Sequence, residues 1–300
     1  MKIIICDPTS ADAVEAIRAA GHDVDVRDDI SPEELVTAIS AYHGMVVRSR
    51  TKVREPIIDA AENLKVIVRG GVGLDNIDVD YARSKGIAVL NTPAASTQSV
   101  AELTIGYLFA LARAIPQMTA SMKAGLWEKK KFKGVELAGK TLGLVGVGRI
   151  GTAVAERARA LGMNVIAYDP YVNAWALGEL VGLEDLLARA DYISMHLPHT
   201  EETHHIIDAA ALDKMKDGVR IVNCARGGVI DENALYDAIK AGKVVGAALD
   251  VFEEEPSKGH KLFNLDEVLG SPHVGAGTKE ATGRVGAEVA EKMVDFFKEN

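Results

Sequence analysis

Residues 140–162 read KTLGLVGVGRIGTAVAERARALG, and the reading of this stretch decides the fold. The run TLGLV has the apolar, β-prone character of a buried strand, and RIGTAVAERARALG has the small and charged residues of a helix. Between them Gly146, Gly148 and Gly151 form GxGxxG. Glycine is needed there for three separate reasons: a tight turn at the first, close backbone approach to a pyrophosphate at the second, and helix–strand contact at the third. The helix start then offers free N–H groups and a positive dipole end to the phosphates. The next strand, NVIAYD, ends at Asp169, 23 residues after Gly146, where an acid accepts ribose hydroxyls and repels a 2′-phosphate. The stretch therefore predicts a dinucleotide site that takes NAD in preference to NADP.

Working outward, the same strand–turn–helix rhythm runs along the chain. KIIIC, VDV, GMVV, KVIV and IAVL alternate with turns and helical patterns before residue 94, and DYISMHL, RIVNCA and VVGAALD follow the glycine turn. This rhythm predicts parallel strands with crossover helices, an α/β chain with two doubly wound sheets. A long Ala- and Leu-rich helix is expected over about 97–114, and one amphipathic helix from about 278 onward.

Composition narrows the function classes. The chain has 300 residues, 48% of them hydrophobic and 26% charged, which suits a globular protein of about two domains. Its net charge of -9 opposes a role on nucleic acid. KKKFK at 129–133 is the one dense basic patch, and a run of this kind is commonly a solvated face. Cys6 and Cys224 lie far apart, in no CxxC pair, so neither a disulfide framework nor a metal site is expected. Without an apolar run of 18 residues or a signal-peptide pattern, a membrane role is not expected and a cytoplasmic location is.

Three strands after the glycine turn end on an isolated polar residue. Arg226 follows RIVNCA, the acids of VFEEEP follow VVGAALD, and His273 sits in GSPHVGAGT. Ligands of doubly wound sheets collect at the carboxyl ends of strands. An imidazole titrates in the range useful for exchanging an alcohol proton, and a guanidinium fork suits a carboxylate. A lone histidine at a strand end is more often structural, so these residues alone leave the chemistry open.

Taken together, GVGRIG, NCARGGVIDE, LDVFEEEP and SPHVGAGTKEA resemble the D-2-hydroxyacid dehydrogenase family, as do VRSRTKV, GVGLDNIDVD and SMKAGLWEKKKF, so the resemblance spans nearly the whole chain. It implies a Rossmann cofactor domain (95–274) inserted in a flavodoxin-like substrate domain (1–94 and 275–300). It also implies NAD-linked interconversion of a small 2-hydroxy acid and its 2-oxo acid. The resemblance matches Arg226, Glu255 and His273 to the catalytic residues, with Glu255 as the partner of His273 and Glu253 and Glu254 left to solvation. Cofactor contacts fall on Gly146, Gly148, Arg149, Ile150, Gly151, Asp169, Leu197, Cys224, Ala225, Asp250, Gly275 and Ala276. Cys224 is read as a lining residue rather than a reactive thiol, and Asp250 as an acid that could equally satisfy backbone groups. Substrate contacts fall on Arg48, Ser49, Gly71, Val72, Gly73 and Ser96, the last where many relatives carry asparagine. For recognition of a substrate phosphate the candidates are Arg48 and the 129–133 lysine patch, with Lys129 contributed by a neighbouring subunit of a homodimer or tetramer formed through the cofactor domain. The additional C-terminal regulatory domains of longer relatives are not expected. NAD-sensing corepressors of this fold carry similar Arg, Glu and His residues, so a binding role stays open at this point.

Overall fold

Alternation of buried apolar strands with short helices builds two parallel sheets in this computed structural model, which describes residues 1–299. The chain divides into two compact units: Met1–Ser96 together with the segment from Ala276 onward, and Thr97–Gly275. They are called here the outer and the inserted unit.

The outer unit runs β1 (Lys2–Ile5), α1 (Ala11–Ala19), β2 (Asp23–Val26), α2 (Pro32–Ala38), β3 (Gly44–Val47), α3 (Glu55–Asp59), β4 (Val66–Arg69), α4 (Val79–Ser84) and β5 (Ala88–Asn91). Its five strands, all parallel, lie in the order β2-β1-β3-β4-β5, the flavodoxin-like arrangement. Successive residues of each strand feed opposite faces. Ile4, Met45, Val47 and Ile67 enter one core and Ile3, Ile5, Val46 and Val68 the other. Local signals also operate: Ser31 and Glu34 form a reciprocal capping box around Pro32, which starts α2.

The inserted unit comprises α5 (Thr97–Arg113), α6 (Ile115–Lys123), β6 (Thr141–Val145), α7 (Arg149–Ala160), β7 (Asn164–Tyr168), β8 (Glu179–Leu180), α8 (Leu183–Arg189), β9 (Tyr192–Met195), α9 (Ala209–Lys214), β10 (Val219–Asn223), α10 (Glu232–Lys240), β11 (Val244–Leu249) and β12 (Val268–Gly270). The strand order is β12-β11-β10-β9-β6-β7-β8, all parallel. Counted from β6 this is the Rossmann order with a seventh strand added at one edge, and its direction of winding reverses between β6 and β9. Gly143 in β6 has no room for a side chain, because a Cβ there would lie 2.7 Å from Leu186 of α8. The final helix, α11 (Lys279–Glu299), returns to the outer unit, where Val285, Val289, Ala290 and Met293 join its core. Among the described residues no single helix is long and apolar enough to cross a membrane, and α5 buries Val100, Ala101, Leu108 and Ala112 against the sheet of its own unit.

Candidate active site

The glycine turn sits at the point where the inserted sheet reverses. Gly146 has φ +99°, and a Cβ on it would lie 2.5 Å from the carbonyl oxygen of His196, just past β9. A Cβ on Gly151 would lie 2.3 Å from the Gly146 carbonyl oxygen, so helix and turn touch through backbone alone. Gly148 behaves differently. It is the N-cap of the twelve-residue α7, supplies no side-chain cap, and has nothing within 4 Å of its Cβ position. The helix N-terminus is thus left open beside bare backbone, which fits the pyrophosphate of a dinucleotide. Arg149 and Ile150 open the helix, exposed and half-buried respectively. Asp169 accepts hydrogen bonds from Val147 N and Tyr171 N, both at 3.0 Å, so its half-buried carboxylate also fastens the turn.

The three strands that end on polar residues, β10, β11 and β12, are neighbours in the sheet. His273 Nδ1 lies 2.7 Å from Glu255 Oε2, and the other oxygen of Glu255 accepts from Phe252 N at 3.1 Å. A carboxylate can only accept, so Nδ1 carries the proton and the distal ring nitrogen is left as the acceptor. His273 also has φ +53°, in the left-handed region that a non-glycine residue adopts at a cost and that clusters at functional sites. Arg226 is carried by a turn tied at both sides through Asn223, whose Nδ2 donates to Arg226 O at 2.8 Å and whose Oδ1 accepts from Ala225 N at 3.0 Å. A Cβ on the adjacent Gly227 would come within 1.8 Å of Phe252 O. The loops bearing Arg226 and Glu255 therefore rest against each other backbone to backbone.

Asp250 explains the strained histidine. It is 1% exposed, and its carboxylate accepts from Val274 N at 2.8 Å, from Gly275 N at 2.7 Å and from the Ser271 hydroxyl; its carbonyl accepts from His273 N at 2.8 Å. Tyr107 on α5 donates in turn to Ser271 Oγ at 2.5 Å. Of the two roles the sequence leaves open for Asp250, the backbone one is what these bonds describe. The chain Tyr107–Ser271–Asp250 holds the His273 turn, and neither Tyr107 nor Ser271 announces this in the sequence, because 164 positions separate them.

Glu253 corrects the reading of the acid cluster. Rather than being merely solvated, its Oε1 lies 3.0 Å from His205 Nε2 and accepts from Glu232 N at 3.2 Å, while Glu253 N donates to Glu232 Oε1 at 2.8 Å. Burial pushes the Glu232 carboxyl up, and His260 Nε2 stands 3.1 Å from it. Three adjacent acids thus separate into a histidine partner at Glu255, a loop tie at Glu253 and an exposed Glu254. The Cys224 thiol is 7% exposed, and burial pushes it up to about 12. Leu197 and Ala225 are half-buried, Gly275 is buried, and Lys129 is exposed.

The remaining sequence-derived site residues lie in the outer unit. Arg48 and the exposed Ser49 follow β3. Gly71, at φ +146°, donates to Thr92 Oγ1 at 2.7 Å, and a Cβ there would overlap Arg69 Nη1 at 1.7 Å; Val72 and Gly73 are half-buried. Ser96 is 3% exposed, and Ala276 is half-buried. Among the described residues no group of three or more His, Cys, Asp and Glu side chains is arranged to hold a metal ion.

Residues 105–275 match the family model described as D-isomer specific 2-hydroxyacid dehydrogenase, NAD binding domain. The hydroxypyruvate reductase of Thermotoga maritima is 50% identical over 302 residues, covering 99% of this chain and 98% of its own. The chain belongs to the D-isomer specific 2-hydroxyacid dehydrogenase family. Another member, the D-3-phosphoglycerate dehydrogenase of Methanocaldococcus jannaschii, is 52% identical over 299 residues. That match covers 98% of this chain but 57% of the relative, so the chain spans little more than half the length of that dehydrogenase. Among solved structures, a D-lactate dehydrogenase of Aquifex aeolicus complexed with NAD and lactic acid superposes with a TM-score of 0.87 at 31% identity, covering 100% of this chain and 96% of that one. The glycine turn and the open start of α7 lie inside the family's NAD-binding domain.

Proposed function

We propose that this chain is an NAD-dependent D-2-hydroxyacid dehydrogenase that oxidises D-3-phosphoglycerate to 3-phosphohydroxypyruvate, the step that opens serine synthesis. The observation that carries the dehydrogenase reading is the 2.7 Å bond from His273 to Glu255 on a loop packed directly against the one that bears Arg226. The glycine turn at Gly146, Gly148 and Gly151 with Asp169 would hold NAD, which would supply the hydride acceptor for the carbinol carbon. The distal nitrogen of His273 takes the hydroxyl proton as the hydride leaves, and Glu255 stabilises the imidazolium so formed. In the reverse direction the same nitrogen returns the proton. Arg226 binds the substrate carboxylate with its planar fork and polarises the carbonyl oxygen on which charge develops. Asp169 receives the ribose hydroxyls and disfavours a 2′-phosphate.

The phosphorylated substrate is supported by the relative that is 52% identical and by the cationic residues Arg48 and Lys129. A second reading, reduction of hydroxypyruvate or glyoxylate, is favoured by a different observation: the reductase that is 50% identical matches this chain from end to end. A panel of 2-hydroxy and 2-oxo acids with NAD(H), followed by absorbance of the reduced nicotinamide, separates them. The leading reading requires kcat/KM for 3-phosphohydroxypyruvate to exceed that for hydroxypyruvate by at least about tenfold, the scale of one additional charge-assisted contact. The opposite order favours the reductase, and no turnover with any acid leaves a corepressor-like binding protein.

The partner we propose is a second copy of the chain. Phe109, Ile115, Met122, Leu126 and Trp127 of the inserted unit are 38%, 44%, 55%, 49% and 80% exposed. So many large apolar side chains within one short segment mark an association surface. A dimer formed there carries the neighbouring Lys129 with it, and light scattering that finds only monomer at micromolar concentration removes this assignment.

A further inference from the structure

Asp7 stands two residues beyond β1, 1% exposed, after the buried run Ile3, Ile4, Ile5 and Cys6. Leaving a carboxylate there without partners would be expensive. Among the described residues, every hydrogen bond its carboxylate accepts comes from one short segment, residues 48–51. Oδ2 accepts from Arg48 N and from Thr51 N, the latter at 3.2 Å; Oδ1 accepts from Thr51 Oγ1 at 2.7 Å and from Arg50 Nε at 3.0 Å. Asn76 holds the same segment by its carbonyls, since its Nδ2 donates to Arg48 O at 2.8 Å and to Thr51 O at 2.7 Å. A carboxylate that takes the loop's N–H groups and an amide that takes its C=O groups leave little backbone freedom between them.

The same bonds sort two arginines. The sequence RSR offers two guanidinium groups one residue apart. Arg50 is committed, with Nε on Asp7 and Nη2 on Cys6 O. Among the described residues the Arg48 guanidinium makes one long contact, Nη1 to Pro8 O at 3.4 Å, and so keeps most of its donors for a ligand.

We propose that Asp7 is a positioning residue for the substrate anion: assisted by Asn76, it fixes loop 48–51 and occupies Arg50, so that of these two arginines Arg48 is the one that presents its fork to the anionic substrate, in addition to Arg226. This rests on the dehydrogenase reading above. An amide keeps one accepting oxygen where the carboxylate has two, so its NH2 must face either the N–H groups of Arg48 and Thr51 or the Arg50 guanidinium; the loop then shifts or Arg50 is released. Asp7 does not touch substrate and acts only through the loop.

The experiment compares steady-state kinetics of the full chain with NADH and its best 2-oxo acid. Asp7→Asn raises KM for the 2-oxo acid about tenfold, the order lost with a charge-assisted hydrogen bond, with kcat within about threefold and the Kd for NADH unchanged. Arg48→Gln raises KM by more than Arg50→Gln does. Should Asp7→Asn not fold, Thr51→Val removes one bond to the carboxylate at constant shape, and KM rises about threefold. A lowered Tm with unchanged KM in the folded variant makes Asp7 a purely structural residue and overturns the proposal, as does a larger effect at Arg50 than at Arg48. Wild-type protein that turns over no 2-oxo acid at all brings down the dehydrogenase reading itself, a failure distinguishable from these.

Discussion

His273 and Glu255 are joined by a 2.7 Å hydrogen bond although 18 positions separate them, and the bond uses the ring nitrogen nearer the backbone. That choice fixes the tautomer and turns the distal nitrogen into the acceptor a base requires.

Glu255→Gln keeps the shape of the pair and loses the charge that stabilises an imidazolium. The variant should lower kcat by about a hundredfold, within the range general acid–base catalysis contributes, and leave the Kd for NADH unaltered. Wild-type turnover in the variant would separate Glu255 from the chemistry.

The backbone of His273 permits a test that does not depend on catalysis. At φ +53° a residue with a Cβ is strained and glycine is not. His273→Ala and His273→Gly both delete the imidazole, so the two should be equally inactive. The glycine variant should nevertheless be the more stable by about 1 kcal/mol in denaturant unfolding. Equal midpoints would mean that the turn relaxes at no cost and that the Tyr107–Ser271–Asp250 chain does not hold it.

Much of this was legible in the sequence because doubly wound folds repeat short signals. Buried β-branched runs located β1, β3, β4, β6 and β10, and the glycine spacing located the turn between β6 and α7 that Asp169 fastens. Polar residues ending apolar strands drew attention to Arg226, the acids after Leu249 and His273. The same rule, applied at KIIIC, would have singled out Asp7, whose role lies in a loop 41 residues away. Other features carry no periodic signal. β8 has two residues and β12 three, too few for any pattern to register. Which of three consecutive acids meets the histidine depends on how a loop turns, and the His205–Glu253 contact spans 48 positions. Distances of that kind are set by the assembled sheet and not by neighbours along the chain.

Gly227 tests whether the Arg226 and Glu255 loops must touch. A methyl group there would stand 1.8 Å from Phe252 O, less than any van der Waals contact, and backbone cannot rotate aside as a side chain can. Gly227→Ala should therefore displace both loops together and reduce kcat/KM by about a hundredfold or more, as small misplacements of catalytic groups do. Binding of NADH, centred on the glycine turn, should fall far less. Kinetics indistinguishable from wild type would show that the two loops move independently.

The two cysteines make the last prediction, and its sign follows from burial. Cys6 is 0% and Cys224 7% exposed, and burial is the main cause that pushes each thiol up from the ordinary thiol range to about 12. At pH 8 only about one thiol in ten thousand is then ionised in the native protein, and the thiolate is the form that alkylates. Iodoacetamide at that pH should leave both residues unmodified and activity intact, with both labelled once the chain is unfolded, as mass spectrometry would read. Because the folded-state value is raised, the associated stability is complete below pH 9 and declines as pH climbs from there toward 12. Rapid labelling of Cys224 in the native protein would instead reveal a reactive thiolate two residues from Arg226, and the assignment of Cys224 as a passive lining residue would have to be abandoned.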